Sequence, residues 1–175
     1  MRVIAGRFRS RKLKAVAGLH VRPTPDRLRE ALFNVLANRI AGSVFLDGYA
    51  GTGAVGIEAL SRGAKHSILI EKRSDALAIL RENLASLDLA REATVVCGST
   101  AVSLAHYPCD IAFLDPPYDS VHEYAAALSA LANTECPLVV AQHSSKLALA
   151  DDYGSLHKQR VLKQGDNSLS FFGRA

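Results

Sequence analysis

The stretch that decides the fold is Val44-Phe45-Leu46-Asp47-Gly48-Tyr49-Ala50-Gly51-Thr52-Gly53. Its apolar beginning predicts a short buried strand, and its glycines predict a tight turn that opens the next helix. Because glycine lacks a Cβ, a nucleotide-like ligand can lie against this turn and the helix amino terminus. Helical spacing continues from Val55 to Leu60, and Gly63 is placed to cap the helix at its carboxyl end.

An acidic residue follows the next predicted strand. Residues 67–70 predict that strand, and Glu71 comes directly after it, 20 residues beyond Gly51. This is the distance at which an acidic side chain receives ribose hydroxyls in nucleotide-binding folds. The spacing fits a dinucleotide and an adenosyl cofactor equally well. Gly51, Gly53 and Gly56 also satisfy G-x-G-x-x-G, a pattern that is weak on its own.

A proline-rich tetrapeptide, Asp115-Pro116-Pro117-Tyr118, follows the apolar run 111–114. It is expected at the carboxyl end of a strand, where open α/β sheets place their ligands. Consecutive prolines lack N–H groups and have fixed φ, so nearby carbonyls are left as rigid acceptors. The Asp115 carboxylate and a carbonyl near Pro116 can each accept one proton of a planar exocyclic amine, while the Tyr118 ring stacks on a base. The structural alternative is a strand end followed by a proline turn.

Alternating strand and helix patterns continue along the chain and predict an α/β fold. Residues 160–162 and 169–172 flank the turn signal Gly165-Asp166-Asn167, which indicates a closing hairpin. The prediction is a Rossmann-like three-layer α/β/α sandwich, with a seven-stranded, mostly parallel sheet that ends in a C-terminal antiparallel hairpin. At the other end, residues 2–6 and 12–16 predict a basic β-hairpin. Thr24 is expected to cap a helix that has Pro25 at its first position.

Positive charge is concentrated near the amino terminus. Residues 1–40 carry ten Lys or Arg against two acidic residues, a balance of +8, which leaves −4 for the remainder of a chain whose net charge is +4. Such a segment suits contact with nucleic-acid phosphates, the alternative being a solvated arm that aids solubility. The predicted RNA-binding residues are Arg7, Arg9, Arg11, Lys12, Lys14 and Arg22. Residues 1–22 are interpreted as a basic extension and residues 23–175 as the main domain.

Composition excludes several other classes of protein. No apolar stretch approaches the ~18 residues of a membrane span, and no signal peptide is evident, so a cytoplasmic protein is expected. Cys97, Cys109 and Cys136 contain no C-x-x-C pair, which argues against zinc and a disulfide framework, and buried reduced thiols are predicted. The histidines have no metal-ligand spacing, no G-x-S-x-G elbow is present, and no metal is expected.

The combination of sites favours a methyl donor, because hydride transfer has no evident need for an amine cradle. The arrangement resembles the class I S-adenosylmethionine-dependent methyltransferases, and D-P-P-Y resembles their amino-methylating members. A narrower resemblance covers nearly the whole chain and points to the RsmD family, bacterial enzymes that methylate guanine N2 in 16S ribosomal RNA. The segments that carry it are 22–34 (RPTPDRLREALFN), 46–53 (LDGYAGTG), 58–63 (EALSRG) and 115–118 (DPPY), supported by 6–13 and 165–172.

The resemblance implies S-adenosylmethionine as cofactor and 16S rRNA, within a small subunit or an assembly intermediate, as partner of a monomeric enzyme. The residues it implies for base binding and catalysis are Asp115, Pro116, Pro117 and Tyr118. The residues it implies for donor binding are Asp47, Gly48, Tyr49, Ala50, Gly51, Thr52, Gly53, Glu71, Lys72, Ser99 and Thr24.

Three positions depart from the family pattern. Gly48 replaces a bulky apolar residue and is expected to loosen the turn, Ser99 stands where an acidic or amide residue is common, and Gln142 stands where a glutamate is frequent. Three alternative functions stay open: an adenine-N6 methyltransferase, since the cradle suits either amine; an NAD-dependent oxidoreductase; and a noncatalytic RNA-binding module.

Overall fold

The computed structural model describes residues 1–16, 24–117 and 119–174. The strands are β1 (Val44–Asp47), β2 (His66–Glu71), β3 (Ala93–Cys97), β4 (Ile111–Leu114), β5 (Leu138–Ser144), β6 (Asp152–Tyr153), β7 (Leu156–Gln164) and β8 (Asn167–Arg174). The helices are α1 (Asp26–Val35), α2 (Ala37–Ile40), α3 (Ala54–Ser61), α4 (Ser74–Ser86), α5 (Thr100–Ser103) and α6 (Val121–Ala132), with a 3-10 turn at Leu104–His106.

The described strands form one mixed sheet in the order β3-β2-β1-β4-β5-β8-β7-β6. The first five strands in this order are parallel to one another, and each of β8, β7 and β6 pairs antiparallel with the strand before it in the order. Because parallel strands point the same way, the carboxyl ends of β1, β2 and β4 meet at one edge of the sheet. The predicted glycine turn, Glu71 and Asp115 therefore come together at this edge.

Helices cover both faces of the sheet, which confirms the predicted three-layer class. On one face, buried side chains of α1, α3 and α4 pack on strand residues such as Phe45, Leu69 and Phe113. On the other, α6 packs on Leu46, Leu114 and Val139. Neighbouring residues of one strand thus point into opposite cores, as the two-residue period of a strand requires.

The sheet has one more described strand than the seven that were predicted. The C-terminal hairpin is present, with Gln164 paired to Asn167 across a two-residue turn in which Gly165 has φ 59°. The additional strand is the two-residue β6, too short to carry a periodic signal in the sequence.

The predicted N-terminal β-hairpin forms in part: within the described residues, Arg2 and Lys12 make an antiparallel bridge, and the N–H groups of Val3 and Leu13 donate to the carbonyls of Arg11 and Met1 at 3.0 and 2.9 Å. The backbone N–H groups of Ile4 and Ala5 donate instead to the carboxylate of Glu58, at 2.8 and 3.0 Å. Because this acceptor belongs to α3, the antiparallel pairing ends at Val3 and does not extend over the predicted strand residues 4–6.

Two local predictions also fail. Helix α1 begins at Asp26 with Pro25 at the N-cap, and Thr24 does not cap it, because the Thr24 hydroxyl donates to Asp115 at 3.2 Å. Of the three free cysteines only Cys136 is buried, whereas Cys109 is half-buried and Cys97 is exposed at the end of an outer strand. Among the described residues, no helix has the length and apolar character needed to cross a bilayer.

Candidate active site

A cavity of about 480 Å³ opens at the carboxyl ends of β1, β2 and β4. It brings together most of the residues that the sequence assigned to a donor and acceptor site. Those that line it are Thr24, Asp47, Gly48, Tyr49, Ala50, Gly51, Thr52, Glu71, Lys72, Ser99, Asp115, Pro116 and Pro117. Gly53 does not line the cavity. It lies immediately before α3 and has φ 88°. Tyr118 and Arg22 lie outside the described residues.

Glu71 braces the glycine turn. One carboxylate oxygen accepts the N–H of Gly51 at 2.8 Å, and the other accepts those of Lys72 and Arg73 at 2.9 Å each. The N–H of Ala50 donates to Ile70 at 2.9 Å, so the turn is fixed to the end of β2. The Glu71 carboxylate thus reaches the cavity in one orientation, where the remaining lone pair, on the oxygen bonded to Gly51, can accept a ligand hydroxyl.

Asp47 ends β1 and is only 2% exposed. Its carboxylate accepts the N–H of Tyr49 at 3.3 Å, and no described Lys or Arg side chain pairs with it. Burial raises the pKa of Asp47 to about 7, and the charges of Asp115 and Glu71 add to the rise. A cationic group in the cavity would relieve this cost.

Asp115 ends β4 and accepts the Thr24 hydroxyl at 3.2 Å. Burial raises its pKa to about 7, against the lowering effect of the Thr24 hydrogen bond. Pro116 and Pro117 continue the same wall of the cavity. A carboxylate, a hydroxyl and the rigid proline backbone therefore converge at the end of β4, which lies on the other side of β1 from β2 and Glu71.

Gly48 does not loosen the turn, contrary to the expectation from sequence. Its N–H donates to the Phe113 carbonyl at 2.9 Å, and its carbonyl accepts the hydroxyl of Thr100. A Cβ at Gly48 would lie 2.9 Å from both the Leu114 Cδ2 and the Thr100 Cγ2 atoms. The space that a larger residue would fill is occupied by these two side chains, so the turn is packed from the neighbouring strand and helix.

Several residues at the cavity were not found from sequence. Glu123 on α6 lines it and pairs with Lys72 at 3.4 Å. Met1, Ala15 and Val16 form another part of the wall. In the sequence, Ala15 and Val16 are only the apolar end of a basic segment, and this pattern does not indicate that they line a cavity.

The basic N-terminal side chains are exposed, but they differ in their partners. Arg7 pairs with Glu92, Lys14 pairs with Glu82 at 2.7 Å, and the Arg11 guanidinium donates to the Ser86 carbonyl at 3.2 Å. Arg9 and Lys12 have no ion pair within the described parts of the chain. They are therefore the most available cations among the predicted RNA-binding residues that the structure describes.

Arg29, one of several basic residues near the start of α1, turns inward rather than to a ligand. It is fully buried, and its guanidinium donates to the Arg2 carbonyl at 2.6 Å and to Asp26 at 3.1 Å. Burial lowers its pKa. Its role is to hold the N-terminal segment against α1. Within the described ranges, no group of three or more His, Cys, Asp or Glu side chains is arranged to hold a metal ion.

Comparison with known proteins places this site in context. A family model described as Conserved hypothetical protein 95 matches residues 1–173. The YlbH protein of Bacillus subtilis (strain 168), named provisionally as an rRNA methyltransferase, is 36% identical over 98% of each chain. Ribosomal RNA small subunit methyltransferase D of Escherichia coli (strain K12) is 44% identical over 67% of this chain and 60% of its own length, so the chain aligns with less than two thirds of that relative.

Solved structures agree on the fold. The yhhF structure from Escherichia coli, provisionally named a methyltransferase, superposes with a TM-score of 0.85 at 31% identity, covering 99% of this chain and 97% of that one. An RNA methyltransferase from Salinibacter ruber, solved with S-adenosyl-L-homocysteine, superposes with a TM-score of 0.68 at 18% identity over 87% of this chain and 94% of that one. At that identity the second likeness shows the fold alone.

Proposed function

The chain belongs to the family described as Conserved hypothetical protein 95, the RsmD family, and from this premise we propose that it transfers a methyl group from S-adenosylmethionine to the exocyclic N2 amine of a guanine in 16S ribosomal RNA. The observation that carries the proposal is a single cavity that is lined both by the glycine turn with Glu71 and by Asp115 with Pro116. The names of its relatives support ribosomal RNA as the substrate class.

The residues present fit an adenosyl sulfonium donor. The cavity, at about 480 Å³, falls within the roughly 300–1,000 Å³ typical of small-molecule sites. Glu71 is placed to accept a ribose hydroxyl, and the buried, cation-free carboxylate of Asp47 suits the methionine ammonium. Ser99 and Lys72 line the same cavity. When bound, the donor supplies a methyl carbon on a positively charged sulfur that leaves as a neutral thioether.

Asp115 and the proline backbone orient the acceptor amine. The lone pair of an exocyclic nitrogen is delocalised into its ring, so holding the two N–H bonds favours the geometry in which that lone pair faces the methyl carbon. Asp115 also stabilises the positive charge that develops on nitrogen as the new bond forms, and the methylated nitrogen then releases one proton to the Asp115 carboxylate or to water. Tyr118 is expected to stack on the extruded base, at an unstacking cost of about a few kcal/mol. No metal is required for this chemistry.

The alternatives differ in what they demand of the site. Adenine N6 would use the same cradle, and the family membership is what favours guanine in RNA. An NAD-dependent oxidoreductase would use the glycine turn and Glu71 but has no need of Asp115. A noncatalytic RNA-binding module would need neither the glycine turn with Glu71 nor Asp115. We further propose that a small-subunit or assembly particle presents the RNA to a cytoplasmic monomer.

The first test is transfer of labelled methyl from S-adenosylmethionine to unmethylated small ribosomal subunits, followed by mass spectrometry of the nucleosides. The expected product is N2-methylguanosine. Asp115→Asn, which preserves shape but removes the charge, is expected to lower turnover by at least ~100-fold while donor binding is retained. N6-methyladenosine would keep the chemistry and overturn the choice of base. Absence of donor binding by the wild type would overturn the methyltransferase proposal.

A further inference from the structure

Asn83 is a buried side chain that joins the N-terminal segment to the glycine turn. It lies on α4, is 1% exposed, and uses both ends of its carboxamide. Its Oδ1 accepts the N–H of Lys14 at 2.8 Å, and its Nδ2 donates to the carbonyls of Lys14 at 3.0 Å and Thr52 at 2.9 Å. One side chain therefore sets the distance between the backbone of the basic segment and the turn that lines the cavity.

The segment held by Asn83 is itself part of the cavity wall. Ala15 and Val16, which follow Lys14, line the cavity together with Met1 and Thr52. The remainder of the segment is anchored independently, with Val3 and Leu13 in the main core and Ile4 on Glu58. The fold therefore determines where the segment lies at the cavity. The hydrogen bonds between Lys14 and Asn83 are the last of these contacts before Ala15 and Val16, which line the cavity.

We propose that Asn83 is a positioning residue that makes the basic segment a wall of the donor site, so that donor affinity and RNA binding by the segment are coupled. This inference rests on the proposed function, since it takes the cavity ligand to be the adenosyl donor and the partner of the segment to be RNA. RNA phosphates that contact the exposed Lys12 would restrict the backbone at Lys14. Because Asn83 hydrogen-bonds both Lys14 and Thr52, it would hold the Thr52 carbonyl in place as well. Thermodynamic linkage then requires that bound donor strengthens RNA binding by the same factor.

The coupling is tested by calorimetric titration of S-adenosylhomocysteine. Asn83→Ala removes three hydrogen bonds at the turn and is expected to weaken binding by ~10-fold or more. Leu84→Ala is the matched control, because Leu84 is the next residue of α4 and is equally buried, but it packs in the core. It should lower the melting temperature while donor affinity stays within ~2-fold of the wild type. A folded Asn83→Ala protein with unchanged donor affinity would overturn the inference.

Asn83→Asp gives a second variant if the alanine substitution unfolds the protein. It keeps the acceptor for Lys14 N–H and loses both donated bonds, so it should raise KM for S-adenosylmethionine while kcat changes little. A purely structural role would instead lower the active fraction, and with it kcat, without moving KM.

Donor binding measured with and without RNA also tests the coupling. A 16S rRNA fragment should tighten S-adenosylhomocysteine binding by at least ~3-fold, and the tightening should vanish in Asn83→Asp. Tightening of equal size in both proteins, or none in a wild type that binds both ligands, would overturn the coupling. A wild type that binds no donor would instead overturn the proposed function.

Discussion

Asp47 and Asp115 end neighbouring strands, and both are carboxylates in surroundings that disfavour their charge. Burial is the main cause in each case, and their mutual repulsion adds to the effect at Asp47. Thr24 gives Asp115 a hydroxyl donor, but neither residue has a cationic side chain beside it among the described residues. The site therefore holds charge that a cationic ligand can neutralise.

Donor binding should depend on pH through Asp47. Its pKa in the free protein is about 7, above the ordinary 3.8, so below pH 7 the carboxyl is protonated and must release its proton when a ligand ammonium binds. Affinity for S-adenosylhomocysteine should rise about 10-fold per pH unit from pH 5.5 towards 7 and then level off.

Calorimetry at pH 6 in buffers of different ionisation enthalpy should show this proton release. Asp47→Asn, which cannot titrate, should bind more weakly at pH 7.5 and lose most of the pH dependence. A pH dependence that persists undiminished in this variant would assign the titration to Asp115 or another group.

At the scale of elements, much of the site could be predicted from three short stretches of sequence, because each is an apolar strand followed by or ending in a polar residue. The strand before Asp47, the one before Glu71 and the one before Asp115 all form as predicted. Since parallel strands share a direction, their ends had to meet. Local patterns of this kind need no knowledge of distant residues.

Two of the failures have the opposite character, since each involves a partner far away in sequence. Thr24 has the composition of an N-cap, yet its hydroxyl goes to Asp115, 91 residues on. Ile4 and Ala5 have a strand-like pattern, yet their N–H groups go to the buried carboxylate of Glu58. Local propensity depends on neighbouring residues and takes no account of hydrogen-bond partners far away in sequence, so these contacts could not be predicted.

The packing of Gly48 gives a prediction about how β1, β4 and α5 fit together. Gly48→Ala places its Cβ 2.9 Å from Thr100 Cγ2 and from Leu114 Cδ2 and should cost about 1–3 kcal/mol of unfolding free energy. Thr100→Ser removes the clashing methyl but keeps the hydroxyl that donates to Gly48. The double variant should therefore be more stable than the sum of the single changes predicts.

Urea denaturation of the four proteins measures this interaction. A favourable coupling above ~0.5 kcal/mol is expected, because the two positions are in direct contact. Strict additivity would mean that Leu114, and not Thr100, limits the space at Gly48. Leu114→Ala in place of Thr100→Ser would then show the coupling.

At the scale of the whole molecule, the positive end of the chain is attached to the domain mainly by groups other than its charges, since its ion pairs with Glu92 and Glu82 are exposed. Glu58 and Asn83 hold its backbone, Val3 and Leu13 are buried, and the guanidinium of Arg29 donates to the Arg2 carbonyl. The cations themselves are left on the surface. Arg2, Arg9 and Arg27 line a groove of about 290 Å³ between the segment and α1, together with the acidic side chains of Asp26 and Glu30.

The exposed cations without ion pairs should dominate RNA binding. Arg7 and Lys14 already pair with Glu92 and Glu82, so a phosphate must displace a carboxylate to reach them, whereas Arg9 and Lys12 can bind a phosphate directly. Each phosphate contact contributes about 0.7 to 0.9 to the slope of log K against log salt concentration. Replacing Arg9 and Lys12 with alanine should therefore reduce that slope by about 1.4 to 1.8 and weaken binding to all RNA sequences alike.

The matched control replaces Arg7 and Lys14, which removes the same charge from the same segment and should change the slope less. Fluorescence anisotropy with a labelled 16S rRNA fragment, from 50 to 300 mM salt, measures both variants. Equal effects would mean that net charge alone attracts the RNA and that the ion pairs to Glu92 and Glu82 open at no cost. No effect from Arg9 and Lys12 would place the RNA on another face, and the segment would then serve the cavity wall alone.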